Sequence, residues 1–304
     1  MHTTDPAPAD FGGLAPDLER LVGRRRALQW VGAAGLAGLA IGCSTDHAGS
    51  TSPDASAPSS TASNGTATDA GTSSTTAADA GATDAGDTTG TAPPEPAASP
   101  GAEIPDETAG PFPADGTNGP NVLDIDGVVR PDIRSSIGEL SGTAEGIETT
   151  LNLTVVDAAT GDPRPGAAIY LWQNAANGLY SVYQIEDQNF LRGLQAADDA
   201  GRITFTTVFP GCYPGRWPHC HFEVYETIDG ASNGDNAIKT SQLALPRADA
   251  EQVYADTRYG DSAAELAELT LASDGVFADG WEEQLATVTG DNANGYAVSL
   301  LVRV

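Results

Sequence analysis

The middle of this 304-residue chain lacks the side chains needed for a hydrophobic core. Residues 44–106 are almost entirely Ala, Thr, Ser, Gly, Asp and Pro, and the first large apolar side chain in this segment is Ile104. Such a segment cannot bury enough apolar surface to offset the entropy lost when its backbone is ordered. We therefore predict three parts: an N-terminal segment at 1–43, a disordered linker at 44–106 and a folded domain at 107–304.

The N-terminal segment has the features of an export signal. Three consecutive arginines, 24–26, come shortly before an uncharged stretch, 30–42, that is too short to cross a bilayer comfortably as a helix. The paired arginines resemble a twin-arginine signal, and residues 39–43 resemble a bacterial lipobox in which Cys43 is lipidated. A buried apolar helix with an incidental cysteine is the alternative. We predict export, with the protein either secreted or lipid-anchored at Cys43 to the outer face of the cytoplasmic membrane.

Charge and cysteine content exclude several classes of protein. The formal net charge is −28, and residues 107–304 hold 29 acidic and ten basic residues, including the only lysine of the chain, Lys239. A nucleic-acid surface needs clustered Lys and Arg to displace counterions from phosphates, so nucleic acid is excluded as a partner. Three cysteines exclude a disulfide-rich scaffold and a four-thiolate metal site, while a bond between Cys212 and Cys220 stays open.

The pattern beyond residue 107 is that of a β-protein. Short apolar or alternating runs are separated by turn-forming residues, such as those at 157–163 and 177–178. One or two short helices, near 247–255 and 263–271, do not alternate with strands as they would in a βαβ fold. The predicted strands are 151–156, 167–172, 202–208, 220–225 and 296–304. We predict an all-β sandwich with long loops.

Two of the four histidines in the chain, His219 and His221, lie on one predicted strand. Side chains alternate along a strand, so both imidazoles point to one face and Cys220 points to the other. The pair suits a metal ion, although a His-x-His pair alone is equally typical of surface or core histidines, of cupins and of zinc enzymes. Glu223, two residues further along, keeps a cupin-like Fe(II) or zinc site open.

Two tyrosines narrow the choice of metal. Tyr213 precedes His219 by six residues, and Tyr180 follows the predicted turn at 177–178. A phenol with a pKa of about 10 is deprotonated at neutral pH only by a strongly Lewis-acidic partner. A set of two tyrosines and two histidines therefore indicates ferric iron rather than zinc.

Several motifs occur in the order that is found in one enzyme family. They are ETAGPF at 107–112, RPDIR at 130–134, GLYS at 178–181, FLRG at 190–193, PGCY at 210–213, GR at 215–216, the pair His219 and His221, and TSQ at 240–242. In these motifs the domain resembles an intradiol ring-cleavage dioxygenase of the protocatechuate 3,4-dioxygenase and catechol 1,2-dioxygenase superfamily. The N-terminal segment makes it resemble an exported, actinobacterial-type member.

The resemblance implies a β-sandwich that holds one non-haem Fe(III) per domain. Arg216 would stabilise negative charge on the substrate ring, Gln242 would lie next to the ligands, and Tyr213 would leave the metal when a catechol binds. The implied reaction is cleavage of the catechol by dioxygen to a cis,cis-muconate. The implied ligands are Tyr180 and His221 in equatorial positions and Tyr213 and His219 in axial positions.

The sequence also departs from the family pattern. Residues 173–175 are Gln-Asn-Ala where members often have His-Cys-Asp, and the segment from Tyr213 to His219 is short, which alters the pocket wall. There is no helical dimerisation domain of the catechol 1,2-dioxygenase kind, so the oligomeric state stays open, a homo-oligomer included. A cell-surface β-sandwich that binds a ligand without catalysis is the rival function.

Overall fold

The computed structural model describes residues 98–304, in which eight strands form two four-stranded sheets. The outer sheet has the strand order β4-β1-β8-β7, and the site sheet has the order β3-β2-β5-β6. Neighbouring strands are antiparallel except β1 and β8, which are parallel. The strands are β1 (Glu148–Val156), β2 (Ala168–Trp172), β3 (Arg192–Ala196), β4 (Arg202–Val208), β5 (His219–Tyr225), β6 (Lys239–Ala244), β7 (Thr287–Asp291) and β8 (Gly295–Arg303).

The outer sheet has one buried face and one face toward solvent. Residues along β1 and β8 alternate between buried and more exposed positions, as expected for a sheet that packs on a core with one side only. Leu151 and Leu153 point inward from β1 and pair in register with Phe205 and Ile203 of β4. These side chains form the core between the two sheets.

The site sheet is covered on both faces, because every residue of β2 and β5 is buried. On one face, Leu171 and Phe222 join the core between the sheets. On the other face, Tyr170 and Trp172 pack in a second apolar cluster to which the chain before β1 contributes Val122, among other residues. This covering chain creates a closed space above β5.

Helices are short and few in this part of the chain. The α-helices are α1 (Arg247–Val253) and α2 (Ser262–Ala267), and this content confirms the predicted all-β sandwich with two short helices. Within residues 98–304 there is no helix of the length and apolar character that a membrane span requires. Single-turn 3₁₀ helices lie at Ile228–Gly230, Gly234–Asn236, Thr257–Tyr259, Leu271–Ser273 and Phe277–Asp279.

Residues 98–106, which the sequence assigns to the linker, pack on the domain. Ile104 is 1% exposed and lies in the core, and its backbone N–H donates to the carbonyl O of Arg303 over 2.9 Å. Lys239 forms ion pairs with Glu103 and Asp106. The one large apolar side chain of this segment thus attaches it together with backbone hydrogen bonds and ion pairs. The predicted export signal, the lipid anchor at Cys43 and the rest of the linker lie outside the described residues and stay predictions.

Candidate metal centre

His219 and His221 lie side by side on β5, above the covered face of the site sheet. Their Nε2 atoms are 3.0 Å apart, and both rings are buried. Cys220, between them, points into the core between the sheets, which confirms the predicted alternation. Nδ1 of His219 lies 2.5 Å from the carbonyl O of Trp217, which can only accept, so Nδ1 carries the proton and Nε2 presents its lone pair to His221.

Tyr180 reaches the histidines from the loop that follows β2. Its Oη lies 3.3 Å from Nε2 of His219 and 3.2 Å from Nε2 of His221, and the side chain is buried. Ser181 fixes this loop, because its Oγ donates to the carbonyl O of Phe190 over 2.7 Å. The loop thus delivers one phenol oxygen to the two imidazoles.

Tyr213 reaches the same point from the loop between β4 and β5. Its Oη lies 3.5 Å from Nε2 of His219, and unlike Tyr180 it is only partly buried. Gly178 allows the two tyrosine loops to approach each other, since its φ is +77° and a Cβ there would lie 3.3 Å from Cβ of Tyr213. Tyr213 therefore marks the open side of the cluster.

The spacing of these donor atoms fits a metal ion. Donors bonded to one ion at about 2.1 Å and at right angles to each other would be about 3.0 Å apart. The measured contacts among Tyr180 Oη, Tyr213 Oη and the two imidazole Nε2 atoms run from 3.0 to 3.5 Å. All four predicted ligands are thus brought together around one point.

The electrostatics of the cluster also suit metal binding. Burial lowers the pKa of His219 to about 3, and burial together with His219 and Arg216 holds the pKa of His221 far below its usual range. Both imidazoles are therefore neutral and able to ligate at physiological pH. Burial raises the pKa of Tyr180, so only a strong cation can stabilise its phenolate there.

Carboxylate and thiolate ligands do not provide an alternative site. Within residues 98–304, no group of three or more His, Cys, Asp or Glu side chains is placed to hold a metal. Glu223 instead accepts a 2.5 Å hydrogen bond from Oη of Tyr225, toward the far end of β5. Cys212 and Cys220 are both buried free thiols. The donor set therefore supports the tyrosine and histidine site over the cupin-like one.

Comparisons with known proteins show what the domain is similar to. Residues 131–231 match a family model described as dioxygenase. An intradiol ring-cleavage dioxygenase from Tetranychus urticae matches the fold at 23% identity and a TM-score of 0.51, covering 66% of this chain and 94% of that one. Residues 131–231 are thus similar to a dioxygenase family, and the domain has the fold of an intradiol ring-cleavage dioxygenase. This confirms the resemblance that the motifs show.

Two further solved structures are similar to this domain. Another dioxygenase has 23% identity and a TM-score of 0.52, with the match covering 67% of this chain and 94% of that one. Hydroxyquinol 1,2-dioxygenase from Pseudomonas putida DLL-E4 has 19% identity and a TM-score of 0.41, with 67% and 66% of the two chains covered. No curated protein matches the chain significantly.

Arg216 and Gln242 lie next to the candidate ligands. Gln242 is on β6 directly opposite His221, and its Oε1 accepts a 2.6 Å hydrogen bond from Nη2 of Arg216. Its Nε2 donates to the carbonyl O of Thr108 over 2.8 Å, which ties the covering chain to the site. Arg216 follows Tyr213 in a tight turn, with its N–H 3.2 Å from the Tyr213 carbonyl O, so it lies near the open side.

Two residues that the sequence does not single out shape the candidate site. Trp172 stacks on His221 with ring centroids 5.0 Å apart and planes 7° apart, which fixes the imidazole plane. Asp274 is fully buried and accepts hydrogen bonds from both Arg216 and the backbone of Trp217. Trp172 ends a predicted strand and could have been found by its alternation, but no local signal marks Asp274.

Gln173 and Asn174, which stand where family members often have His and Cys, have structural roles. Nε2 of Gln173 donates to the carbonyl O of Val208 over 2.7 Å, and Nδ2 of Asn174 donates to the carbonyl O of Gly211 over 2.8 Å. These bonds connect the end of β2 to the loop that carries Tyr213. The departure from the family motif thus supports the position of a ligand.

Proposed function

We propose that this domain is an intradiol ring-cleavage dioxygenase that uses one non-haem Fe(III) to cleave a catechol with dioxygen between the two hydroxylated carbons, giving a cis,cis-muconate-type product. One observation carries the proposal, namely the convergence of two phenol oxygens and two neutral imidazoles, in which Nε2 of His219 lies 3.0 to 3.5 Å from the other three donor atoms and Oη of Tyr180 lies 3.2 Å from Nε2 of His221. The ligands would be Tyr180, Tyr213, His219 and His221. Two phenolates next to two neutral imidazoles favour a trivalent over a divalent cation, because they offer two negative charges in a dry site.

The residues around the donor atoms have distinct roles. Ferric iron, when bound, supplies a Lewis acid that stabilises phenolate and catecholate charge. Tyr180 is buried and fixed by its loop, whereas Tyr213 is partly exposed at the open side. Oη of Tyr213 is therefore placed to accept a hydroxyl proton from an entering catechol, and Tyr180 stays in position.

Arg216 supplies the positive charge next to the substrate. Its guanidinium is held by Gln242 and Asp274, and the side chain is 6% exposed. A fixed cation in a site that excludes water stabilises negative charge on the catechol ring more strongly than a solvated one. Gln242 touches both Arg216 and the chain that covers the site, so it orients the arginine.

The test uses the purified domain loaded with iron. We expect one iron per chain, a visible tyrosinate-to-iron charge-transfer band, and dioxygen uptake with one or more of catechol, protocatechuate and hydroxyquinol. Tyr180→Phe and Tyr213→Phe should each weaken or remove the band, whereas Tyr296→Phe, whose hydroxyl bonds Asn292 away from the site, should keep it. A folded domain that binds no iron would contradict the proposal. Bound iron without dioxygen uptake would favour the ligand-binding module instead.

We also infer that the enzyme acts outside the cytoplasm. The support is the arginine-rich, apolar segment that ends at Cys43, followed by the low-complexity segment 44–106. A flexible linker of that length would hold the domain several nanometres from a membrane surface. Membrane association that is lost in Cys43→Ala supports the lipid anchor, and unchanged partition between membrane and medium contradicts it.

A further inference from the structure

Asp274 connects three parts of the site through one carboxylate. It lies between the 3₁₀ helices at Leu271–Ser273 and Phe277–Asp279, and it is 0% exposed. Its Oδ2 accepts hydrogen bonds from Nε of Arg216 over 3.0 Å and from the backbone N–H of Trp217 over 2.6 Å. Its Oδ1 accepts from the backbone N–H of Val276 over 2.8 Å, which fixes the carboxylate on its own loop.

The ion pair between Arg216 and Asp274 is buried, with side-chain exposures of 6% and 0%. The pair between Arg258 and Asp256 is, by contrast, at the surface, with exposures of 40% and 24%. A buried ion pair contributes little net stability, because removing two charges from water costs about as much as their attraction returns. The burial therefore indicates that this pair sets position and charge rather than stability.

Asp274 fixes the position of Arg216 and, through Trp217, that of the candidate ligand His219. Arg216 and Trp217 are consecutive, so the same Oδ2 atom fixes both. The carbonyl O of Trp217 faces Nδ1 of His219 at 2.5 Å, and Nη2 of Arg216 donates to Gln242. The 216–219 segment is thus anchored at its base by the Asp274 carboxylate.

Asp274 also affects the balance of charge on the open side of the site, through Arg216. Arg216 is close enough to Glu107 and Asp274 to act on their ionisation, and Asp279 acts on Glu107 as well. Arg192, a second guanidinium near His221, donates to the carbonyl O atoms of Phe112, Pro113 and Ser181. The positive charge of Arg216 is therefore opposed by the Asp274 carboxylate, to which it is directly bonded, and by further acidic groups such as Glu107.

We propose that Asp274 is a positioning residue that fixes Arg216 next to the metal centre and, by neutralising its charge, favours uncharged catechols over carboxylated ones. The inference rests on the proposed catechol cleavage. A carboxylated catechol such as protocatechuate would enter a site in which the positive charge of Arg216 is already balanced. An uncharged catechol depends on Arg216 only for the negative charge that develops on its ring, and the oriented N–H groups of Arg216 still stabilise that charge.

The test compares Asp274→Asn with Asp256→Asn in the iron-loaded domain. Asp274→Asn keeps an oxygen that can accept from the Trp217 N–H but removes the charge, so the charge of Arg216 is exposed to the substrate. We expect kcat with catechol to fall, and the ratio of kcat/KM for protocatechuate to that for catechol to rise by about tenfold or more. Asp256→Asn removes a surface pair in which the carboxylate likewise accepts from a backbone N–H, that of Arg258, and should leave both values unchanged.

A double variant separates charge from structure. Arg216→Gln with Asp274→Asn removes both charges, so the substrate ratio should return toward the wild-type value although kcat stays low. Arg216→Gln alone leaves an unbalanced carboxylate and should shift the ratio against protocatechuate; it also serves if Asp274→Asn does not fold. A purely structural role for Asp274 would lower both substrates equally in every variant, and this result would overturn the proposal.

Hydrogen–deuterium exchange of the iron-free protein tests the anchor without any activity. In Asp274→Asn, peptides within 213–219 should exchange faster than in wild type, while peptides around 256–258 should not change. If wild type cleaves no catechol but the exchange difference is present, the proposed function fails and the anchor stands. If wild type is active and the exchange, kcat and substrate ratio of Asp274→Asn are all unchanged, the role of Asp274 is refuted and the function stands.

Discussion

The two sheets of the sandwich bury their strands in different ways. In the outer sheet, β8 alternates between buried and more exposed residues and needs only one packed face. In the site sheet, all seven residues of β5 are buried, although they include His219, His221 and Glu223. The difference arises because the chain before β1 covers the second face of the site sheet.

This cover explains why the reactive residues are on only one of the sheets. A polar side chain on the outer sheet meets water, which would screen its charge and satisfy its hydrogen bonds. On β5 the imidazoles lose that water, so they are neutral, and the buried phenol of Tyr180 can ionise only against a strong cation. A second layer of chain thus converts an ordinary β-face into one that suits a metal ion.

The largest expected effect follows from removing a candidate ligand on the covered face of β5. His221→Ala should lower turnover with catechol by roughly a thousandfold or more and reduce the bound iron, because the imidazole opposite Tyr180 is lost. Iron content and dioxygen uptake measure this, with near-ultraviolet circular dichroism to show that the domain is folded. Full iron content with more than a tenth of the activity would show that His221 is not a ligand.

The next residue along the strand tests the opposite face. Phe222 points into the core between the sheets and is fully buried, so Phe222→Ala should lower the free energy of unfolding by about 3–5 kcal/mol. Leu301→Ala, at a half-buried position on the solvent side of β8, should cost about 1 kcal/mol. Urea unfolding of the iron-free variants measures both, and equal losses would contradict the contrast between the sheets.

Alternation along the strands makes much of this arrangement predictable from the sequence. The predicted strands at 151–156, 202–208 and 220–225 lie within one to three residues of β1, β4 and β5. The orientation of His219 and His221 away from Cys220 follows from the same two-residue period. The meeting of Tyr180 with these histidines comes from the family motifs, since two separate loops deliver the tyrosines.

Elements that depend on distant partners could not be predicted. β3 begins with Arg192, whose guanidinium is buried because carbonyl groups from Phe112 and Pro113 surround it. β6 carries Ser241 and Gln242, which are buried only because the chain at 105–108 accepts their hydrogen bonds. The role of Asp274 cannot be predicted for the same reason, because its partners Arg216 and Trp217 lie more than fifty residues earlier. Local composition cannot indicate a polar residue that is buried by tertiary contacts.

Two amide side chains, one at each sheet, test the same difference in burial with smaller expected losses of stability. Gln173, next to the end of β2, is 0% exposed and donates to the carbonyl O of Val208. Gln173→Ala should destabilise the protein by about 2 kcal/mol, because it leaves that carbonyl without this donor. Asn152 on β1 accepts from Thr204 at the solvent face, and Asn152→Ala should cost less than about 0.5 kcal/mol. Thermal or urea unfolding that gives equal losses would refute the difference in burial.

The smallest predicted effect concerns Glu107, at the edge of the covered region. Its Oε1 accepts a hydrogen bond from Nε2 of Gln284. Burial raises the pKa of Glu107 from 4.5 to about 7. Between these values the folded protein holds a proton that the unfolded chain has lost, so the free energy of unfolding falls as the pH rises through this window.

Glu107→Gln removes this ionisation. The variant should therefore lose less stability than wild type between pH 5 and 8, by about 1 kcal/mol, since the carboxyl is half-exposed and water screens part of the effect. Urea unfolding of both iron-free proteins at the two pH values measures the difference. If both proteins lose the same stability between these pH values, Glu107 is not desolvated in the folded protein. The region that excludes water from the site sheet would then end at β6 and would not include residues 105–108.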